Sequence, residues 1–302
     1  MGGTWHPRLA HRTFMRLRIQ PWLFCAPLLV GVALVFLWPL VSLFRYSFQR
    51  VGSAYIDSEF VGFENFRFVY RDPLFWKAIA NNGTLLLSVP ILIVLSTVLA
   101  TLLFDRVRGW RAYRTFVFLP YIVSIPVVGI VFGYLFQKNG LVNSALGSVG
   151  ISGPDWLGSS SWAIWTIMAV IVWKELGFGV MLFLARLISV PDELFEAARI
   201  DGAGWWSRLR HVVVPQLAPA ILFYAIVETI TMLSWVFAYI YVMTAGGPGN
   251  STVVSEYYIY QQTFQNTVIG IGAAAAVTLL AFVSVLILAR LWLTRKVEAL
   301  GV

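Results

Sequence analysis

Charge is what this sequence lacks most. Of its 302 residues only 12% are charged, against 59% hydrophobic, where a soluble domain carries about 25% charged residues. So few polar side chains cannot cover a globular surface, which points to lipid as the solvent. Cysteine is nearly absent as well. The one thiol, Cys25, lies inside an apolar run, which excludes a disulfide framework or a cysteine metal cluster within one chain. No GxxxxGK[ST] phosphate loop occurs either; none of Lys77, Lys138, Lys174 and Lys296 follows a glycine. The net charge of +8 does not mark a nucleic-acid binder. The basic residues stand in short blocks between long apolar runs rather than on one soluble face.

Those runs define the fold class: an all-α integral membrane protein with about six transmembrane helices. A hydrocarbon core of roughly 30 Å needs about 20 helical residues, and lipid offers the backbone no other hydrogen-bond partners. The stretches lie near Trp22–Phe44, Ile79–Leu103, Thr115–Phe136, Trp162–Leu184, Leu217–Tyr241 and Gly270–Trp292. The first follows Arg8, Arg12, Arg16 and Arg18 as a signal peptide would. Its apolar run is longer than a signal core, however, and no small-x-small cleavage site follows. It reads as a retained helix.

Basic residues orient the spans. With both termini in the cytoplasm, that side receives the four N-terminal arginines, then Arg106, Arg108, Arg111 and Arg114. It also receives Arg186, Arg199, Arg208 and Arg210, and finally Arg290, Arg295 and Lys296. Fewer fall outside: Arg45, Arg50, Arg67, Arg71, Lys77 and Lys138. The first outer loop is still more basic than this bias favours. Trp22, Trp76, Trp110, Trp162 and Trp292 fall at span ends, as interfacial anchors do.

The loop between spans four and five is the most specific part. It reads ARLISVPDELFEAARIDGAGWWSRLRHVVVPQLAP. Pro191 can start a helix, and Asp192 with Glu193 suits the positive end of its dipole. Asp201-Gly202 supplies a turn in which glycine is free to take a positive φ. A second short helix is expected over 204–214, closed by Pro215 and Pro219. The result is a cytoplasmic helix–turn–helix lying along the membrane, with Ala197, Ala198, Gly202 and Ala203 exposed for close packing.

Glu196-Ala197-Ala198-x-x-Asp201-Gly202-Ala203, followed by Pro215 and Pro219, resembles the EAA loop of ABC importer permeases. Leu209 and Val212 stand where that family often has Phe and Ile. Phe60–Phe66, Asp72–Trp76, Trp173-Lys174 and Thr244–Thr252 are similar to segments of the maltose-type carbohydrate subfamily, in the same order. The resemblance implies that the loop couples to an ATPase through Glu196, Ala197, Ala198, Asp201, Gly202, Ala203 and Pro215. It implies a bacterial-type cytoplasmic membrane and a translocation subunit that is not itself an enzyme. Its partners would be a homologous second permease, two copies of an ATP-binding subunit and an extracytoplasmic solute-binding protein. This chain would bind no cofactor or metal, and ATP and Mg would sit on the partner ATPase. The chain then divides into a first helix and outer segment (1–76), a permease core with the loop at about 185–215 (77–292), and a cytoplasmic tail (293–302).

Lys174, Glu175 and Glu228 are ionisable residues within spans, which are costly in lipid and face a partner or an aqueous cavity. Lys174 and Glu228 lie at similar depth. Either they form an ion pair, or Glu228 hydrogen-bonds solute hydroxyls. Carboxylates accept from hydroxyls and aromatic faces stack on sugar faces, so Ser234, Trp235, Tyr239, Tyr121 and Trp173 are candidates for the same path, each also a plausible packing residue. No span interior holds an arginine, which favours a neutral sugar or polyol over a glycerol phosphate derivative. Pro90, Pro120 and Pro126 can bend spans two and three. An ion-gradient-driven secondary transporter is the rival from another class; it is expected to show internal repeats, and none is evident.

Overall fold

The computed structural model describes residues 20–51 and 58–299, with side chains from 24 to 51 and from 58 to 288. The four N-terminal arginines therefore lie outside the described residues, as do the side chains of Trp22, Arg290, Trp292, Arg295 and Lys296.

The regular structure of the described residues is helical except for one short hairpin. The first span is α1 (Gln20–Val32) and α2 (Trp38–Ser47), joined through a π turn at Ala33–Leu37. Strands β1 (Gln49–Val51) and β2 (Ser58–Phe60) pair antiparallel, and α3 (Glu64–Arg71) follows. The second span is α4 (Pro73–Leu85) with α5 (Ser88–Phe104). It starts six residues earlier than hydropathy suggests. Asp72 explains this: its Oδ1 accepts the Leu74 N–H at 2.8 Å, and Pro73 fits the first helical position.

The third span departs from the sequence reading. Thr115–Phe136 is not one straight helix but α6 (Trp110–Ile122) and α7 (Ile125–Leu135), bent by 100°. Val123 and Ser124 are extended between them. Pro126 sits in the first turn of α7, where its missing N–H leaves no helical bond unmade, so the ladder restarts there. The described residues therefore hold five helices long and apolar enough to cross a membrane, or six when the bent pair is one.

After α8 (Leu141–Ser148) comes α9 (Ala163–Ile188), the central span, packed by α5, α6 and α12. Its glycines allow the close approach: a Cβ at Gly179 would stand 2.6 Å from the Tyr224 ring. Then come α10 (Asp192–Ile200), α11 (Trp205–Arg208), α12 (Val214–Ser234), α13 (Phe237–Met243), α14 (Ser255–Tyr260) and α15 (Ile269–Ala299).

The expected closure of a short helix at Pro215 and Pro219 is not observed. Helix α11 runs through a π turn at Leu209–Val213 straight into α12, so Trp205–Ser234 is one continuous helix. Val214 N–H donates to Leu209 O, five residues back. That wider turn accommodates a proline without ending the helix. The break comes instead at Trp235-Val236, where the backbone N–H groups of Val236 and Phe237 face the Glu256 carboxyl.

Contacts between distant segments fix two ends of the molecule. At the loop end, the Asp105 carboxylate meets Trp205 and Arg208. At the opposite end, Asn81 donates to the carbonyls of Ser251 and Val253 at 2.9 and 2.7 Å. The Tyr258 hydroxyl donates there to Asp72 at 2.7 Å. Buried Asn82 ties three elements, donating to Met232 O and accepting from Ser255 N and Oγ. The first span touches the rest chiefly where α2 meets α15; its apolar surface is otherwise exposed.

Candidate functional site

Two places carry chemistry, one at the loop end and one within the spans. At the loop end, Pro191 precedes α10, with Asp192 and Glu193 in its first turn. Phe195 is buried and packs on Phe104, ring centroids 4.9 Å apart. The helix ends at Asp201, and Gly202 takes a φ of +74°. Its N–H returns to Arg199 O at 3.1 Å, and Ala203 N–H reaches Ala198 O at 2.9 Å. These are the bonds of a left-handed helix stop. Anchored from below by Phe195, the element exposes Leu194, Glu196, Ala197, Ile200, Asp201, Gly202 and Trp206, while Ala198 and Ala203 are half-buried. Pro215 lies away from that surface, in the first turn of α12.

Two contacts missed by sequence reading hold this element to its neighbours. Arg186 Nε donates to Gln216 O at 3.1 Å, fixing the end of α9 to the start of α12. Asp105 Oδ2 accepts from Trp205 Nε1 at 3.2 Å and from Arg208 at 3.4 Å. Nothing local in the sequence pairs residues a hundred positions apart. Removing the carboxylate costs about 1 kcal/mol at this partly exposed position. Asp105→Ala should therefore speed amide exchange in 192–208 by about fivefold. Unchanged exchange there would show that the clamp holds nothing.

Within the spans, a cavity of about 500 Å³ is lined by Tyr121, Ile125, Lys174, Glu175, Val227, Ile230, Thr231 and Trp235. Lys174 and Glu175 stand near the middle of the 26-residue α9. The Lys174–Glu228 pair expected from depth alone is not made. Lys174 Nζ contacts Glu175 Oε1 at 3.4 Å, donates to Tyr121 O at 3.2 Å and lies 5.2 Å from the Tyr121 ring centroid. Equal depth does not fix which way a residue faces around its helix, and the Lys174 ammonium turns to Tyr121 of α6 rather than to Glu228. Glu175 also accepts from the Tyr239 hydroxyl at 3.3 Å. Glu228 is buried outside the cavity lining, and its Oε2 has no hydrogen-bond partner among the described residues.

The candidate path residues thus separate. Tyr121 and Trp235 line the cavity, and Trp235 is 65% exposed. Tyr239 and Glu228 lie buried outside its lining. Trp173 packs on Phe132, centroids 4.9 Å apart, and Ser234 is exposed; neither lines the cavity. Glu175 and Thr231 are lining residues to which sequence reasoning assigned no role. For Glu175 the signal was present, since an intramembrane carboxylate is a functional candidate by default.

Residues 93–299 match the family model of the binding-protein-dependent transport system inner membrane component. The chain is 33% identical to the sulfoquinovosyl glycerol transport system permease protein SmoG of Agrobacterium fabrum, over 87% of this chain and 86% of that one. It is equally similar, at 33%, to the lactose transport system permease protein LacF of Rhizobium radiobacter, covering 82% and 84%. Among solved structures it resembles a chain of a bacterial alginate ABC transporter in complex with an alginate pentasaccharide-bound periplasmic protein. That match has a TM-score of 0.80 and 27% identity over 94% of this chain and 98% of the other.

Proposed function

The chain belongs to the family of binding-protein-dependent transport system inner membrane components, and from that premise we propose that it passes a sugar or related polyol through an ATP-driven importer. The observation that carries the solute class is the cavity beside Lys174 and Glu175. It offers a carboxylate acceptor, an ammonium donor and the rings of Tyr121 and Trp235. Hydroxyl groups satisfy the first two, and the apolar face of a pyranose stacks on the rings. The relatives named for lactose and alginate support a carbohydrate. The cavity's lysine is already paired with Glu175, and no arginine stands among the described lining residues. Both favour a neutral solute over a glycerol phosphate derivative, the alternative.

Hydrolysis falls to two copies of a separate ATP-binding subunit, which hold the ATP and Mg. The surface of α10 and α11 docks there, with Ile200 and Trp206 as exposed apolar contacts. The loop end then faces the cytoplasm, as do both termini. A homologous second permease closes the path, and a solute-binding protein delivers at the opposite end. ATP-driven closure of the partner subunits moves α10, and with it α9 and α12, so that the cavity opens alternately to either side.

Vesicles holding the permease pair with and without the ATP-binding subunits test this. Uptake should require ATP and those subunits and should survive ionophores, while the purified chain alone hydrolyses no ATP. Uptake that persists without the subunits and collapses with an ionophore would assign the chain to the ion-gradient class instead. The solute is tested separately, by titrating the cognate binding protein with neutral sugars, polyols and glycerol phosphate derivatives. Tight binding of the phosphorylated compounds alone would overturn the neutral assignment.

A further inference from the structure

At the end opposite the loop, the arginines that fit the orientation bias least are gathered in one place. A cavity of about 730 Å³ between α3 and the start of α15 is lined by Arg50, Arg67 and Arg71 together with Glu64 and Asp72. The acidic members are already committed. Glu64 takes the Arg50 guanidinium at 2.8 and 3.0 Å. Asp72 accepts from Leu74 N–H and the Tyr258 hydroxyl. Arg67 and Arg71 stand one helical turn apart, so they share a face, and both are exposed. No ion pair or hydrogen bond engages either guanidinium among the described residues. The cleft therefore holds three arginines against two carboxylates, a net charge of +1, with Arg67 and Arg71 outside any ion pair.

Its remaining walls are apolar: Phe68, Pro73, Val268 and Ile271. The cleft lies where the first span ends and the last begins, the level of the bilayer surface. Phe63, Phe68, Tyr70 and Trp76 are exposed at the same level, as aromatic side chains of an interfacial belt are. A water-soluble anion would find paired donors here but no use for the apolar walls. An acidic protein surface would leave those rings against water.

We infer that this cleft binds the headgroup phosphate of an anionic phospholipid, with Arg67 and Arg71 holding the phosphate oxygens and the apolar walls receiving the glycerol and upper acyl carbons. Guanidinium groups suit phosphate because their paired N–H groups match its oxygens. On the orientation proposed above, this is the outer leaflet. The site anchors α3, and through it the start of α15, at a fixed height in the bilayer. It also gives a reason for a basic segment on the side where positive charge is otherwise sparse.

The test uses the full chain, purified in detergent and titrated with phosphatidylglycerol, phosphatidylcholine or inorganic phosphate, with lipid retention read by native mass spectrometry. Wild type should retain phosphatidylglycerol over phosphatidylcholine. The double substitution Arg67→Gln with Arg71→Gln should weaken that retention about thirtyfold, since each cation near an anionic headgroup contributes a factor of about five. Neither side chain has a described partner, so helicity and melting without lipid should stay at wild-type values. Equal retention of the two lipids overturns the proposal, as does retention unchanged by the substitutions. Inorganic phosphate retained as strongly as phosphatidylglycerol, with the same loss in the double variant, assigns the cleft to a free anion and overturns the lipid assignment. So does a double variant with normal lipid retention whose only defect is docking of the solute-binding protein.

Discussion

Gly202→Pro is expected to abolish ATP-driven uptake while the chain still inserts in the membrane and the separate binding protein keeps its solute affinity. Gly202 adopts a φ of +74°, and proline is locked near −65°. Its N–H also closes the turn onto Arg199 O, a bond proline cannot make. The turn between α10 and α11 must therefore open, at a cost of about 3 kcal/mol or more. That leaves on the order of one molecule in a hundred with the loop in its docking geometry. Gly202→Ala separates this from mere sensitivity at the position. An added Cβ meets nothing within 4 Å, so only the left-handed backbone is penalised, by about 1–2 kcal/mol. Its uptake should fall several-fold, not vanish. Uptake measured in reconstituted vesicles, beside membrane yield, ranks wild type, alanine and proline in that order. Normal uptake by the proline variant would remove the coupling role proposed for this loop.

What made the loop legible was local chemistry. Pro191, the two acids behind it, and Asp201-Gly202 each act within one helical turn, so their spacing states the conformation directly. The spans were legible for a similar reason: lipid forces every backbone group into a helix, and hydropathy reads that constraint one residue at a time. The fourth span, read as Trp162–Leu184, is observed as Ala163–Ile188. Breaks were harder. Proline marks both the bend before α7 and the first turn of α12, yet one helix stops and the other continues. The difference lies in the π turn at Leu209–Val213, which is held by packing: Leu209 and Val213 are buried in the core around α9. The site suffered the same loss. Depth along a helix follows from counting residues, but the direction a side chain faces follows from its neighbours. Lys174 found Tyr121 and Glu175, and no count of residues distinguishes that arrangement from one in which it reaches Glu228.

The largest stability effects are therefore expected at Lys174 and Glu175. Their side chains are 6% and 9% exposed and meet at 3.4 Å. Lys174→Met leaves the Glu175 carboxylate with little beyond the Tyr239 hydroxyl at 3.3 Å. Glu175→Gln leaves the ammonium on the Tyr121 carbonyl and ring. Breaking a buried pair from one side costs about 3–5 kcal/mol, whereas replacing both partners is often neutral. Folded membrane yield should drop sharply in each single variant and recover in the double variant Lys174→Met with Glu175→Gln. Glu228→Gln should leave yield near wild type, because Glu228 forms no ion pair among the described residues. Uptake then separates structure from solute binding. If the cavity's polar groups hold the solute, the double variant assembles normally and still fails to transport. Full uptake in the double variant would make the pair purely structural. Single-variant yields as high as the double's would remove the pair itself, and with it the physical basis for placing the solute beside α9.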